Sequence, residues 1–578
     1  MTTSFLDSLM FVLQSIFAPL ILAATLGRCA SQIPLNFPDR QDKVITEELS
    51  SYIQNQLHDG NITGLSLGIV LPNGRVEFAS WGNRTEEGDP ATSDTIFNLG
   101  SCSKAFLSAS LGILMRDFAD GKNKTALPNF VREFNWQTKI CDLLPEEWMI
   151  EDQWTTDKAD LTDLLSHRTG LPSHDGSLSP DDSPGDVVRR MGYLRTAYEL
   201  RQLYEYNNQM YITGAYIVSK YSGSYRDFVE ERIFKPLGMT ASTLYPDRAF
   251  ETGNFTQSWA PATRRRIPFF MPEHVTDLIA GAGGVMSTAE DMTRWMKMLL
   301  NAGVDRQTNA TIIPQKTFDY ATSAISVAKA KGDGLISFFG YGLGWGRLTY
   351  RGHELVQHNG GAPGVATIVD LYPYDGFGIV LLANTATKLT TRNIARTIAA
   401  DHILGLPPIV HQVTNEMQLT EPSSSSPLET PSPDVLSEYA GTYSNAGYGN
   451  FTLCSPLFPT STECLDVIRD FRIVDSTAGK PTPSVDLYSA WPRFWGSHLR
   501  LSFVSGNFIL RITKLYVDGY GANQTPFEDV SSEQASATFV VEEGKVVGVG
   551  LFVALSESWR AKKGGSVRDV ADVWFDKL

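Results

Sequence analysis

The chain has 578 residues, too long for one ordinary core, so two domains are expected. Apolar residues make up 42% and charged residues 20%, the balance of a globular protein and not of a disordered one. A net charge of −15 with no long basic run excludes broad nucleic-acid binding, which needs cations to release phosphate counterions.

At the N-terminus, Leu9 to Gly27 is almost continuously apolar and is followed by small residues. Residues 1–31 therefore read as a secretory signal peptide cut after Gly27, Ala30 or Ser31. The stretch lacks Lys or Arg before it and is long enough to span a bilayer, so an uncleaved single-pass anchor is the alternative. No later segment is long and apolar enough to cross a membrane. Asn61, Asn83, Asn123, Asn254, Asn309, Asn450 and Asn523 each begin an Asn-x-Thr glycosylation triplet. Seven exceeds the roughly three that chance gives in a chain of this composition. A secreted, extracellular glycoprotein is the expectation.

Cys29 leaves with a cleaved signal. Of the remaining four, Cys454 and Cys464 are close enough to close a small loop by a disulfide in an oxidising compartment. Cys102 reads as a packed thiol. No CxxC or HExxH occurs and the nine His show no metal-ligand spacing, so neither a metal site nor a cofactor is expected.

Residues 42–58 carry apolar positions at helical spacing. Residues 64–82 read as two strands joined at a Pro-Asn-Gly turn. Residues 103–121 give a mostly apolar, buried helix, and 284–303 a helix capped by Ser287 or Thr288. From about 354 strands return, and a helix follows near 389–404. Strands from both chain ends imply one α+β unit, not two domains in tandem. Residues 421–435, rich in Ser and Pro, read as a linker. Residues 436–578 alternate apolar and polar over short strands with few helical patterns, which predicts a small antiparallel barrel or sandwich.

Three short motifs occur in order: Ser101-Cys102-Ser103-Lys104, Tyr206-Asn207-Asn208 and His358-Asn359-Gly360-Gly361. Taken singly they mean little. SxxK recurs at Ser326–Lys329, YxN at Tyr443 and Tyr448, and HxG at His58 and His174. Context selects the first set. Ser101 opens the most apolar helix, where a residue three positions on lies on the same face. Burial there lowers a lysine's pKa, and a neutral Lys104 can take the Ser101 proton. Ser326 sits beside a second Lys and a Gly-Asp-Gly, which reads as solvated surface. The two His-Asp-Gly triplets read as ordinary loop turns.

FNLGSCSKAF, LTDLLSHRTGLPSH, YEYNNQMYITGAYIV, AGAGGVMSTAEDM, YGLGWG and HNGGAPGVATIVDLYP resemble successive blocks of the serine β-lactamase and penicillin-binding protein family. The class C β-lactamase and D-Ala-D-Ala carboxypeptidase branch is the nearest in pattern. The region after the linker resembles the lipocalin-like barrel appended to some of these hydrolases. The resemblance implies a β-lactamase/transpeptidase-like domain over 42–410, an antiparallel sheet flanked by helices, with Ser101 as nucleophile and Lys104 and Tyr206 as its proton-transfer partners. It places Asn208, His358, Gly360 and Gly361 at the substrate, and the Ser101 and Gly361 N–H groups in an oxyanion hole. His358 stands where β-lactamases keep a lysine. A neutral His grips a carboxylate less firmly, which points from β-lactams toward an ester, an amide or a D-amino-acid peptide as the small-molecule substrate. A transacylase of small-molecule biosynthesis shares the same residues, and a non-catalytic binding protein on this scaffold is the reading from another class.

Overall fold

Among the described residues of a computed structural model, the strands form two antiparallel sheets of eight strands each and two small two-stranded sheets. The structure describes residues 43–407, 433–459, 461–504, 507–552 and 564–578. The expected signal segment 1–31 with Cys29, and the linker as far as residue 432, lie outside the described residues.

Helix α1 (Glu47–Asp59) starts where the Thr46 hydroxyl accepts from the Leu49 N–H, with Glu47 and Glu48 in the first turn. Its Leu49, Ile53 and Leu57 recur at helical spacing and are buried. The hairpin follows as β1 (Gly64–Val70) and β2 (Val76–Gly82), paired from Gly64↔Gly82 to Val70↔Val76. A helical middle then intervenes. Its longer members are α2 (Lys104–Ala119), α3 (Asn208–Ser222), α4 (Thr276–Gly283) and α5 (Ala289–Leu300), the last capped by Thr288.

The sheet resumes as β3 (Ser326–Lys329), β4 (Phe339–Tyr341), β5 (Gly346–Tyr350), β6 (His353–Ala362), β7 (Val365–Tyr372) and β8 (Phe377–Ala383). Strand order is β2-β1-β8-β7-β6-β5-β4-β3, so the first hairpin pairs with the last strand. Every residue of β1, β7 and β8 is buried, as strands covered on both faces require. One face packs on α1 and on α6 (Lys388–Thr397) through Leu67, Ile69, Ile368, Leu381 and Ile394. The other packs Val369, Val380 and Leu382 toward the helical middle, where Phe106 of α2 stacks on Trp295 of α5 at 4.2 Å.

Helix α7 (Pro433–Tyr439) precedes the second sheet. Residues 433–435 were expected in the linker, yet they open this helix, where a proline costs no hydrogen bond because the first turn's N–H groups have no partner. The sheet comprises β9 (Gly441–Asn445), β10 (Gly449–Leu453), β11 (Asp486–Arg493), β12 (Gly496–Val504), β13 (Asn507–Tyr516), β14 (Phe527–Glu542), β15 (Lys545–Phe552) and β16 (Val573–Lys577). Their order is β10-β9-β16-β15-β14-β13-β12-β11, and a bridge between Cys454 and Tyr488 links the two edges into a nearly closed barrel. A helix the strand-only reading overlooked, α8 (Thr462–Thr477), lies between β10 and β11. It is capped by Ser461 and buries Cys464, Val467, Ile468, Phe471 and Val474. The disulfide between Cys454 and Cys464 ties its first turn to the end of β10. Residues Val44–Leu578 form one compact unit, and side chains of the first region and of the barrel touch directly.

Candidate active site

Ser101 sits on a tight 3-10 turn, Gly100–Ser103, that runs straight into α2. Asn98 pins the turn from both sides: its carbonyl oxygen accepts from the Gly100 N–H at 2.8 Å and its amide donates to the Gly283 carbonyl at 3.0 Å. Gly100 has φ +50, and a Cβ there would fall 2.8 Å from the Gly361 nitrogen. Only glycine lets the turn come this close to β6. Helical continuity then carries Lys104 to the same face, with its Nζ 3.1 Å from the half-buried Ser101 Oγ.

Lys104 is fully buried. Its Nζ also lies 2.7 Å from Asn208 Oδ1 and 2.9 Å from the Ala282 carbonyl oxygen. Burial lowers its pKa to about 7, against an upward pull from Asp175 and Cys102 and a further downward push from Lys388. A neutral amine has two N–H groups and one lone pair. The two oxygens can only accept, so they take the two N–H groups and leave the lone pair for the Ser101 hydroxyl.

Tyr206 stands on the opposite side, its hydroxyl donating to Ser101 Oγ at 2.8 Å. Burial holds its pKa well above the ordinary phenol value, so it stays protonated at neutral pH. Of the two neighbours of Ser101, Lys104 is therefore the one able to act as a base. Asn207 fixes the start of α3: its side chain caps the helix at Met210 N and donates to the carbonyls of Leu171 and Pro172. Its N–H donates to His167 Nδ1 at 3.1 Å. The His167 ring lies 4.4 Å from that of Tyr206.

Strand β6 closes the site. β5 pairs only with His353–Gln357, so beyond Gln357 that edge has no strand partner among the described residues and faces the Ser101 turn. A Cβ on Gly360 would fall 2.0 Å from the Leu99 carbonyl oxygen, which again demands glycine. His358 is buried. Its Nδ1 lies 2.9 Å from the Asn359 carbonyl oxygen, so that nitrogen carries the proton, and Nε2 accepts from the Tyr341 hydroxyl at 2.9 Å. Burial, with the Lys104 charge adding, lowers its pKa to about 3. The imidazole is neutral with both nitrogens engaged, and it offers a substrate no spare donor in this arrangement. Cys102 donates to the His358 carbonyl at 3.2 Å, and burial raises its pKa to about 12, which marks an inert thiol. The exposed Lys388 lays its stem over Gly361, where a Cβ would fall 1.8 Å from Lys388 Cε.

Ser101, Lys104, Tyr206, Asn208, His358, Gly360 and Gly361 are thus brought together. Two readings made on the second occurrences of the motifs need correction. His174-Asp175-Gly176 is not an ordinary loop turn, because His174 is buried and the half-buried Asp175 accepts from Asn208 Nδ2 at 2.7 Å. Ser326 is not solvated: it is buried and donates to the carbonyls of Ser166 and Tyr341. His58-Asp59-Gly60 ends α1. Asp175, Asn207, His167, Tyr341 and the Ala282 carbonyl were missed. The histidine-rich stretch LSHRTGLPSHD was the one signal that pointed at part of this group.

Asn83, Asn309, Asn450 and Asn523 are exposed, whereas Asn61, Asn123 and Asn254 are half-buried. The Asn123 and Asn254 amides donate to Thr125 and Asp94. Cys102 and Cys141 are both free thiols. Among the described residues no group of three or more His, Cys, Asp or Glu side chains is arranged to hold a metal ion.

A family model described as Beta-lactamase matches residues 49–403. Among curated relatives, the "Unguisins hydrolase ungD'" of Aspergillus campestris is 28% identical over 370 residues, covering 62% of this chain and 65% of that protein. The "Unguisins hydrolase ungD" of Aspergillus violaceofuscus is 25% identical over 464 residues, covering 72% of this chain and 78% of that one. Among solved structures, a penicillin-binding protein homologue from Pyrococcus abyssi matches with a TM-score of 0.52 at 18% identity. That match covers 88% of this chain and 98% of the other, and it shows a shared fold.

Proposed function

The chain belongs to the β-lactamase family, with a β-lactamase/transpeptidase-like fold followed by a nearly closed barrel, and from that premise we propose a secreted serine hydrolase that works through an acyl-enzyme on Ser101. The observation that carries this reading is the Ser101 hydroxyl held between a buried Lys104 amine and a protonated Tyr206 hydroxyl.

Neutral Lys104 takes the Ser101 proton as Oγ bonds to the substrate carbonyl carbon. The developing oxyanion sits between the N–H groups of Ser101 and Gly361, donors typically worth about 3 kcal/mol each in such sites. Tyr206 gives its proton to the leaving group as that bond breaks, and the Lys104 ammonium restores it. The acyl group is left on Ser101. Water then attacks the ester, loses its proton through the same groups, and frees the acid. The substrate is an ester, an amide or a D-amino-acid peptide. Two observations support this class: the neutral, fully bonded His358 where a carboxylate-gripping lysine would stand, and two relatives named as hydrolases. Secretion rests on the apolar N-terminus and the glycosylation triplets.

Purified protein assayed by stopped flow over p-nitrophenyl esters, D-amino acid amides and a β-lactam tests the reading. A burst of one product equivalent per chain is expected with an ester or amide, and little turnover of the β-lactam. Absence of both burst and turnover across the set would overturn it.

A further inference from the structure

The barrel meets the catalytic group at His174. Its Nε2 lies 3.0 Å from the Arg195 carbonyl oxygen, which can only accept, so Nε2 carries the proton. Burial lowers the pKa of this imidazole, so the ring is neutral and Nδ1 has only a lone pair. The Tyr448 hydroxyl, 2.9 Å away, donates to it. Tyr448 belongs to the barrel, in the turn between β9 and β10.

The contact is part of a wider clasp. The Phe494 N–H donates to the Leu178 carbonyl at 2.9 Å. The Arg195 guanidinium donates to the carbonyls of Arg568 and Ala571. A cavity of about 430 Å3 lies along the same junction, lined in part by Tyr193, Arg195, Asp572 and Trp574. Burial, with Asp572 of the barrel adding, raises the Glu205 pKa to about 7, and Glu205 is the residue before Tyr206.

The consequence lies one residue past His174. Asp175 can only accept when ionised, so the Asn208 amide must turn its Nδ2 toward it, at 2.7 Å. That turn aims Asn208 Oδ1 at Lys104, which in turn directs the lysine lone pair at Ser101. The path from the barrel to the serine is thus Tyr448, His174, Asp175, Asn208, Lys104.

We propose that Tyr448 is a positioning residue for the Ser101–Lys104 pair, which makes the barrel a working part of acylation and not an appended module. The proposal rests on Ser101 being the nucleophile. Tyr448 touches no substrate in this account; it acts by holding the segment that carries Asp175.

The test is single-turnover acylation of the full chain by a p-nitrophenyl ester at a pH above the Lys104 titration, separating the acylation rate constant from the substrate dissociation constant. Tyr448→Phe and Asp175→Asn should each slow acylation about tenfold, with dissociation constant and thermal midpoint nearly unchanged. The double variant should be no slower than the worse single one, because both cut the same path. Arg265→Gln removes a separate contact to the barrel, at the carbonyls of Asn523 and Thr525, and should leave the rate near wild type. Multiplicative losses in the double variant, a wild-type rate in Tyr448→Phe, or an equal loss in Arg265→Gln would each overturn the proposal. Failure of the nucleophile assignment is distinguishable, since it would show as no Ser101 adduct in any variant.

Discussion

The chain contains Ser-x-x-Lys twice, and the two copies have opposite fates. Ser101–Lys104 lies on a turn that continues into a helix, where a separation of three brings the two side chains to one face. Ser326–Lys329 spans strand β3, an edge strand with a bulge between Val327 and Lys329, and there the two side chains part, Ser326 buried and Lys329 exposed. The serine accordingly turns inward to two backbone carbonyls, and the lysine stays outside, 3.9 Å from Asp333. A motif of two residue types has chemistry only where the backbone period makes them neighbours. Burial then decides whether the neighbour is a base, and it brings Lys104 to a pKa of about 7.

Exchanging residues between the two copies sharpens the contrast. Ser101→Ala should cost about 10^4-fold or more in ester turnover. Ser326→Ala should leave turnover unchanged and instead lower the unfolding free energy in urea by about 1 kcal/mol, the worth of a typical buried hydrogen bond. Lys104→Met should slow acylation about 10^3-fold, within the range for losing a positioned proton acceptor, while Lys329→Met should not change it.

pH separates the copies next. Activity needs neutral Lys104, so the acylation rate should climb as pH rises through about 7 and then level off, as a stopped-flow pH series would show. The same shift acts on stability. Between about 7 and the ordinary lysine value of 10.5 the unfolded chain holds a proton on Lys104 that the folded chain lacks, so this group makes unfolding harder as pH rises across that window. The smallest effect expected is at Lys388, which pushes the Lys104 pKa down from across Gly361. Lys388→Met should move the acid limb of the profile upward by a fraction of a pH unit, since the pair is partly screened by solvent. A downward move would contradict the assigned direction.

Much of this was legible in the chain itself. The hairpin, α2, the Thr288 cap and the strand-rich C-terminal region follow from period and turn chemistry, and the order of the three motifs picked out Ser101, Lys104 and Tyr206. Three features were not readable for physical reasons. Asp175 sits in a His-Asp-Gly triplet that is indistinguishable from a surface turn until Asn208 packs on it. Tyr448 lies 274 residues from its partner His174, and no local pattern announces such a contact. Helix α8 has the right apolar spacing, but it lies in a run dominated by alternating strands, and the run set the expectation.

The most direct measurement of the central claim is covalent labelling of the full chain with a fluorophosphonate, followed by intact mass and peptide mapping. One adduct per chain on the Ser101 peptide is expected, retained in Ser326→Ala and lost in Ser101→Ala. An adduct on another residue, or undiminished labelling and turnover in Ser101→Ala, would contradict it.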